Sequence, residues 1–245
     1  MFFSTPSRPE DSSLIDRWKS VAPYAAPPIA AATAIIPAMP GYITKTALQL
    51  EQAPKLSLTG CLRTAFKAAP TIGVIVGTQM IAQPCVERRF QNNETGHTPE
   101  WAVLAASSTV VGAASAPMFA VFNGQTMGWS PLKSLRKLCI KQAAYISCKE
   151  VLFVGGIQAR GRVREAISPV TKTNRVADAA AGFIGGAIGT GLGHPADTAL
   201  TRTQAGLPTR LVHLWRGCVP RFIAGGVFGA CFATVCHILN PEDAE

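Results

Sequence analysis

The chain has 245 residues, of which 48% are hydrophobic and only 15% charged, with a formal net charge of +9. Soluble globular chains carry charge nearer a quarter of their residues, so an ordinary soluble domain is excluded and a membrane protein is expected. The alternative, a soluble Ala-rich helical bundle, requires a charged face on every turn, and long stretches here have none: residues 20–44, 68–86, 101–132, 179–196 and 222–241 contain no Asp, Glu, Lys or Arg.

Taken in chain order, residues 1–19 read as a polar N-terminal tail. Its acids Glu10, Asp11 and Asp16 do not fit a cleavable mitochondrial presequence, and no secretory apolar core is present, so any targeting is expected to be internal. A first helix is predicted over about 21–50, bent at Pro37 and Pro40, and a second over 64–90. Residues 91–99 read as a loop. A third helix covers 100–127, bent at Pro117, and residues 129–133 turn the chain into a fourth, near 138–158. The fourth is interrupted by Lys141, Lys149 and Glu150, so it is the weakest span and its register is ambiguous by about a turn. Residues 159–173 form a basic loop, the fifth helix covers 174–205 with a bend at Pro195, and the sixth covers 217–239. Each stretch meets or approaches the ~20 apolar residues that cross a bilayer as helix.

The six segments are not independent. Pro40, Pro117 and Pro195 are spaced 77 and 78 residues apart, and each is followed by a glutamine, Gln49, Gln125 and Gln204. Such a period means one unit built three times. The units are 20–95, 96–172 and 173–241, ahead of an acidic C-terminal tail at 242–245. A proline removes one helical hydrogen bond and bends the helix, so three equal kinks would make the odd helices converge at one end. The fold class expected is an all-α membrane protein of six transmembrane helices in three pseudo-threefold repeats with proline-kinked odd helices. Gly182, Gly185, Gly186, Gly189 and Gly193, with Gly225 and Gly229, recur at the spacing that brings helix backbones together in lipid. The run at 189–193 is glycine-rich, but it lies inside an apolar stretch with no strand before it and is not a nucleotide fingerprint.

Chemistry is sparse. Seven cysteines form no CxxC pair, four histidines show no metal spacing, and no nucleophile–base set or cofactor motif appears, so neither an enzyme nor a metal or cofactor site is expected. The basic clusters lack the aromatic interleaving of a nucleic-acid surface, and bases beside a membrane usually meet lipid phosphates. They fall on both sides of the helices, so charge alone does not orient the chain.

The third repeat, Pro195-Ala-Asp197-Thr-Ala-Leu200-Thr-Arg202-Thr-Gln204, resembles the signature of the mitochondrial carrier family. The first copy reads Pro40-Gly-Tyr42-Ile-Thr-Lys45-Thr-Ala47-Leu-Gln49, and the second is degraded to Pro117-Met-Phe119-Ala-Val-Phe122-Asn-Gly124-Gln125. Trp215-Arg216-Gly217 is similar to that family's turn into an even helix. The resemblance spans about 20–241 and implies a multi-pass protein of the mitochondrial inner membrane.

It also implies roles. In the family, an acid and a base from each signature pair in a ring that closes the matrix end. Of the six positions only Lys45 and Asp197 are charged, and they would be the matrix-gate pair. Tyr42, Phe119, Phe122 and Leu200 would form an apolar plug in place of the lost charges. At the opposite gate Gln79, Glu150 and His237 offer little. Lys67, Lys141, Lys149 and Arg221 are candidate solute contacts, with snorkelling toward headgroups as the bland alternative. Trp215, Arg216 and Gly217 would bind cardiolipin, or else form a plain interfacial anchor. The period is shorter than the family's, so the segments between paired helices look trimmed. Alternating access needs two exchanging gates. The depleted gates imply a carrier fold that has lost transport and become an accessory subunit of a respiratory-chain or other inner-membrane complex, with that complex's subunits as partners. The alternative is a divergent active carrier exchanging a small anionic solute.

Overall fold

The computed structural model describes residues 9–91, 99–169, 171 and 173–240. All regular structure among them is helical: α1 (Pro9–Gln49), α2 (Leu58–Gln91), α3 (Glu100–Thr126), α4 (Pro131–Arg136), α5 (Ile140–Ile167), α6 (Asn174–Leu192), α7 (His194–Ala205), a 3-10 turn at Leu211–His213, and α8 (Cys218–Leu239). Residues 92–98 of the expected loop at 91–99, residue 241 at the end of the expected third repeat and the acidic tail at 242–245 lie outside the described residues.

Four helices, α1, α2, α3 and α8, are long and apolar enough to cross a membrane, and α6 with α7 makes a fifth if the bent pair counts as one. This is a multi-pass membrane protein. α5 falls short because Lys149 and Glu150 sit at its middle and bases at both ends.

The long helices pack as a closed ring in which α1 touches α2, α2 touches α3, α3 touches α5, α5 touches α6, α6 touches α8, and α8 returns to α1. Alanine supplies much of the close packing on α1: Ala26, Ala30, Ala31, Ala34 and Ala38 are buried. Glycine does the same on α6, on two faces at once. A Cβ added at Gly186 would strike the Gly225 carbonyl of α8, and one at Gly156 of α5 would lie 2.5 Å from Gly189 Cα. Gly182 meets Gly229 on the α8 side and Gly185 meets Gly156 on the α5 side. The five glycines expected from sequence at packing positions thus fall on two faces, each holding a different neighbour backbone to backbone.

Four expectations are corrected. The polar tail is not a tail over its second half: α1 begins at Pro9, and Trp18 Nε1–H donates to the Leu239 carbonyl at 2.9 Å, tying the start of α1 to the end of α8. The basic loop at 159–173 is helical as far as Ile167. Its Arg160 and Arg164 are four residues apart, share a helix face, and both reach Asp178 of α6. The turn after α3 contains a helix of its own, α4, started by Ser130, whose Oγ accepts from Lys133 N at 3.4 Å, and by Pro131 at its first position.

The fourth correction concerns the three equal kinks. α1 and α3 run unbroken through Pro40 and Pro117, whereas α6 and α7 are separate helices bent by 56° at Gly193, with Pro195 in the first turn of α7. The difference lies upstream. Gly189, Gly191 and Gly193 precede Pro195, and glycine costs about 1 kcal/mol per residue against alanine in a helix. The turn before Pro40 holds Ile36, Pro37, Ala38 and Met39, with no glycine, and the helix continues through it.

Candidate functional site

The C-terminal ends of α1, α3 and α7 meet at one end of the ring. Lys45 Nζ donates to Asp197 Oδ2 at 2.6 Å, and both side chains are 2–3% exposed. Gln49 Nε2 donates to Thr198 Oγ1 at 2.8 Å and approaches the same carboxylate oxygen at 3.3 Å. Asp197 is more than half of a pair. Its other oxygen lies 3.9 Å from Lys149 Nζ and 3.8 Å from Arg221 Nη2. One carboxylate thus gathers cations from α1, α5 and α8.

The four apolar positions assigned to the plug belong to one buried cluster. Tyr42 and Phe122 pack edge to face with centroids 5.6 Å apart, and Leu200 is fully buried. The plug and the charges interlock: Arg221 lies over the Tyr42 ring at 5.0 Å, and Lys149 Nζ over the Phe119 ring at 4.0 Å. Aromatic faces carry negative electrostatic potential, so both buried cations gain partners there.

The signature residues tie the helices together. Gln204 Nε2 donates to the Ala120 carbonyl at 2.9 Å, and its Oε1 accepts from Asn123 Nδ2 at 2.8 Å. Gln125 Nε2 reaches the Lys67 carbonyl at 3.2 Å. Arg202 donates to the Gln49 carbonyl at 2.9 Å, to the Pro208 carbonyl at 2.9 Å and to Glu51 at 3.1 Å. Glu51, a non-glycine residue at φ 58°, also meets Arg216 at 2.7 Å and His213 at 3.3 Å. The Arg202 hydrogen bond, aided by the Arg216 charge, holds the Glu51 carboxyl below its ordinary value. Burial, with the Arg202 and Arg216 charges adding to it, lowers His213.

The candidate solute contacts divide. Lys149 and Arg221 are buried and line a central cavity with about 50 Å³ open to water, together with Tyr42, Gln79, Glu150 and Thr190. Lys67 and Lys141 are exposed on the outer surface. Lys141 is the second residue of α5, near the helix end, and Lys67 sits on the face of α2 opposite buried Ala65, Ala68 and Ile72. These two do not reach the cavity.

Trp215 is 62% exposed, as an interfacial anchor requires, but the Arg216 guanidinium is engaged by Glu51. Gly217 caps α8 at φ 80°, and a Cβ there would lie 2.8 Å from the Lys45 carbonyl. Glycine is needed both for the turn and for the close approach of this connector to α1.

The other end of the ring is better furnished than expected. Asp178 of α6 accepts from Arg164 Nε at 2.8 Å, with Arg160 at 3.8 Å and His237 of α8 at 3.6 Å. Gln83 of α2 donates to Ser107 and Ser108 of α3 at 3.1 and 3.2 Å, and to Glu87 at 2.8 Å. Gln79 donates to Glu150 at 2.9 Å, which fixes the register of α5 with Lys149 and Glu150 both inward.

Sequence reasoning missed Asp178, Glu51, Asn123 and His194. His194 is buried at the bend, where its Nε2–H donates to the Arg216 carbonyl at 3.0 Å. The i, i+4 spacing of Arg160 and Arg164 is the one signal that points to a buried acid nearby. No family model, no curated protein and no solved structure matches this sequence.

Proposed function

We propose that the protein is a carrier-like membrane protein that does not transport and serves as a fixed subunit of a mitochondrial inner-membrane complex. The assignment to carriers rests on the three signature copies. The six-span reading, with α5 and the α6–α7 pair each counted as one span, rests on the closed order of the ring. The observation that carries the loss of transport is the Asp197 hub. Three buried cations from three helices converge on one carboxylate, and the aromatic plug packs against two of them.

Opening that end would strand charges in a low-dielectric bundle, which is costly. The far end has junctions pinned as well, at α5–α6, α6–α8, α2–α3 and α1–α8. Exchange between two accessible states needs gates that release in turn. The glycine contacts on both faces of α6 suit a rigid body, and the cavity is small for an organic solute. A respiratory-chain or other inner-membrane complex is the host that the resemblance favours.

The active-carrier reading draws on a specific feature, Lys149 and Arg221 at the cavity wall. One experiment separates the two. Native membranes are solubilised in mild detergent, and the protein is located on a native gel by mass spectrometry. Co-migration with a large assembly is expected. Migration as a small monomer, together with uptake of anions by reconstituted liposomes, would overturn the proposal.

A further inference from the structure

The charges around the central cavity do not balance. Lys45, Lys149 and Arg221 are three cations, and Asp197 and Glu150 are two carboxylates, all between 2% and 8% exposed. Fully ionised, the cluster carries an excess of one positive charge. Its hydrogen bonding is incomplete on the same side. Arg221 Nε is buried without a hydrogen-bond partner. Lys149 Nζ has its ion contacts at 3.8 and 3.9 Å, both beyond hydrogen-bond distance, and an aromatic ring beneath it. The carboxylate oxygens are served on the other side: Asp197 Oδ2 by Lys45, and Glu150 Oε2 by Gln79. Lys149 Nζ and the Nη2 of Arg221 lie within 3.9 Å of the same Asp197 oxygen, and both residues line the cavity.

An uncompensated charge in a bundle is expensive. A small anion in the cavity, accepting from Lys149 Nζ and Arg221 Nε, would remove the excess and complete both donors. A cavity of about 50 Å³ has room for at least one water-sized species, and so for a halide ion. From the convergence of these two donors on a small cavity with one positive charge in excess, we infer that the protein holds a single resident halide-sized anion as a structural counter-ion. This is a site of binding, distinct from any transported solute, and it stands whether or not the protein is a fixed subunit.

The test uses the whole protein in mild detergent, equilibrated in gluconate and titrated with bromide at constant ionic strength. Unfolding is followed by tryptophan fluorescence. The expected result is a saturable rise in unfolding temperature with bromide or chloride but not with sulfate, since only a small ligand of the folded state stabilises in this way. Lys149→Met should abolish the dependence. A flat response, a linear response without saturation, or a saturable one that survives in Lys149→Met would overturn the inference.

Should that variant not fold, Glu150→Gln, which raises the excess to two charges, must make half-saturation several-fold tighter. An unchanged or weaker halide dependence in Glu150→Gln overturns the inference equally. Chloride efflux from sealed vesicles containing the protein separates the two proposals: stabilisation without efflux supports both, whereas efflux would overturn the loss of transport and leave the anion site standing.

Discussion

The two ends of the ring use the same chemistry in different surroundings. At the Gln49 end, Lys45 and Asp197 are 2–3% exposed and lie under an aromatic plug. At the Asp178 end the carboxylate is 8% exposed, but its partners Arg160 and Arg164 are 30% and 48% exposed. Burial decides what each is worth. Removing one partner of a buried pair leaves an uncompensated charge and costs about 3–5 kcal/mol, whereas pairs with a solvated partner contribute about 0–1 kcal/mol. One end is a lock whose parts fail together, and the other is a set of adjustable ties.

The largest break in this contrast is expected from Asp197→Asn. It leaves Lys45, Lys149 and Arg221 without their shared carboxylate and should cost about 3–5 kcal/mol, measured by thermal unfolding in detergent. Lys45→Met should cost less, because Asp197 keeps two cations within 3.9 Å. If the two variants lose equally, Asp197 is one half of a simple pair and not a hub.

Next is Gly186→Val. The new side chain meets the Gly225 carbonyl backbone, which cannot swing aside. Overpacking of this kind costs about 1–3 kcal/mol and should appear as a lowered unfolding temperature. The same change at Gly155, where nothing lies within reach of a Cβ, is the control. Asp178→Asn should then cost only about 1 kcal/mol, with hydrogen exchange rising at the ends of α5 and α8 and unchanged near Gln49.

Sequence reached the locked end more readily than the loose one. Lys45, Asp197 and the plug residues Tyr42, Phe119, Phe122 and Leu200 all fall on a fixed period in the sequence, and the structure gathers them at one end of the ring. Asp178 lies outside the three signature copies. Its partners sit on a stretch whose charge read as a loop, and its burial depends on α5 continuing as far as Ile167. Sequence shows Lys149 and Glu150 but does not orient them, since a helix turned by one residue rotates a side chain by ~100°; the Gln79 hydrogen bond sets the register. Lys67 and Lys141, which sequence leaves open between cavity and headgroups, both lie on the outside. The break at Gly193, absent at the equivalent places before Pro40 and Pro117, shows that a shared proline does not fix a shared kink when its neighbours differ.

The smallest effect lies at the rim of the locked end, in the connector that Glu51 ties to α1. Glu51 is 46% exposed, and its carboxyl is held below its ordinary value by Arg202 and Arg216. A lowered folded value means that the tie is fully present above the ordinary carboxylate range and is lost as pH falls through the lowered one. His213 is lowered too, so it favours detachment once pH drops below the ordinary imidazole value of 6.5. Hydrogen exchange in residues 208–217 should therefore accelerate in two stages on acidification, first below the imidazole range and then below the carboxylate range. Glu51→Gln should remove the second stage and keep the first. Protection at Gln49 and Thr198 should stay unchanged throughout, because their hydrogen bond is buried beneath the connector. If protection there falls in step with the connector, the rim and the lock are one cooperative unit, and the contrast between adjustable ties and a buried lock does not extend to this edge of the ring.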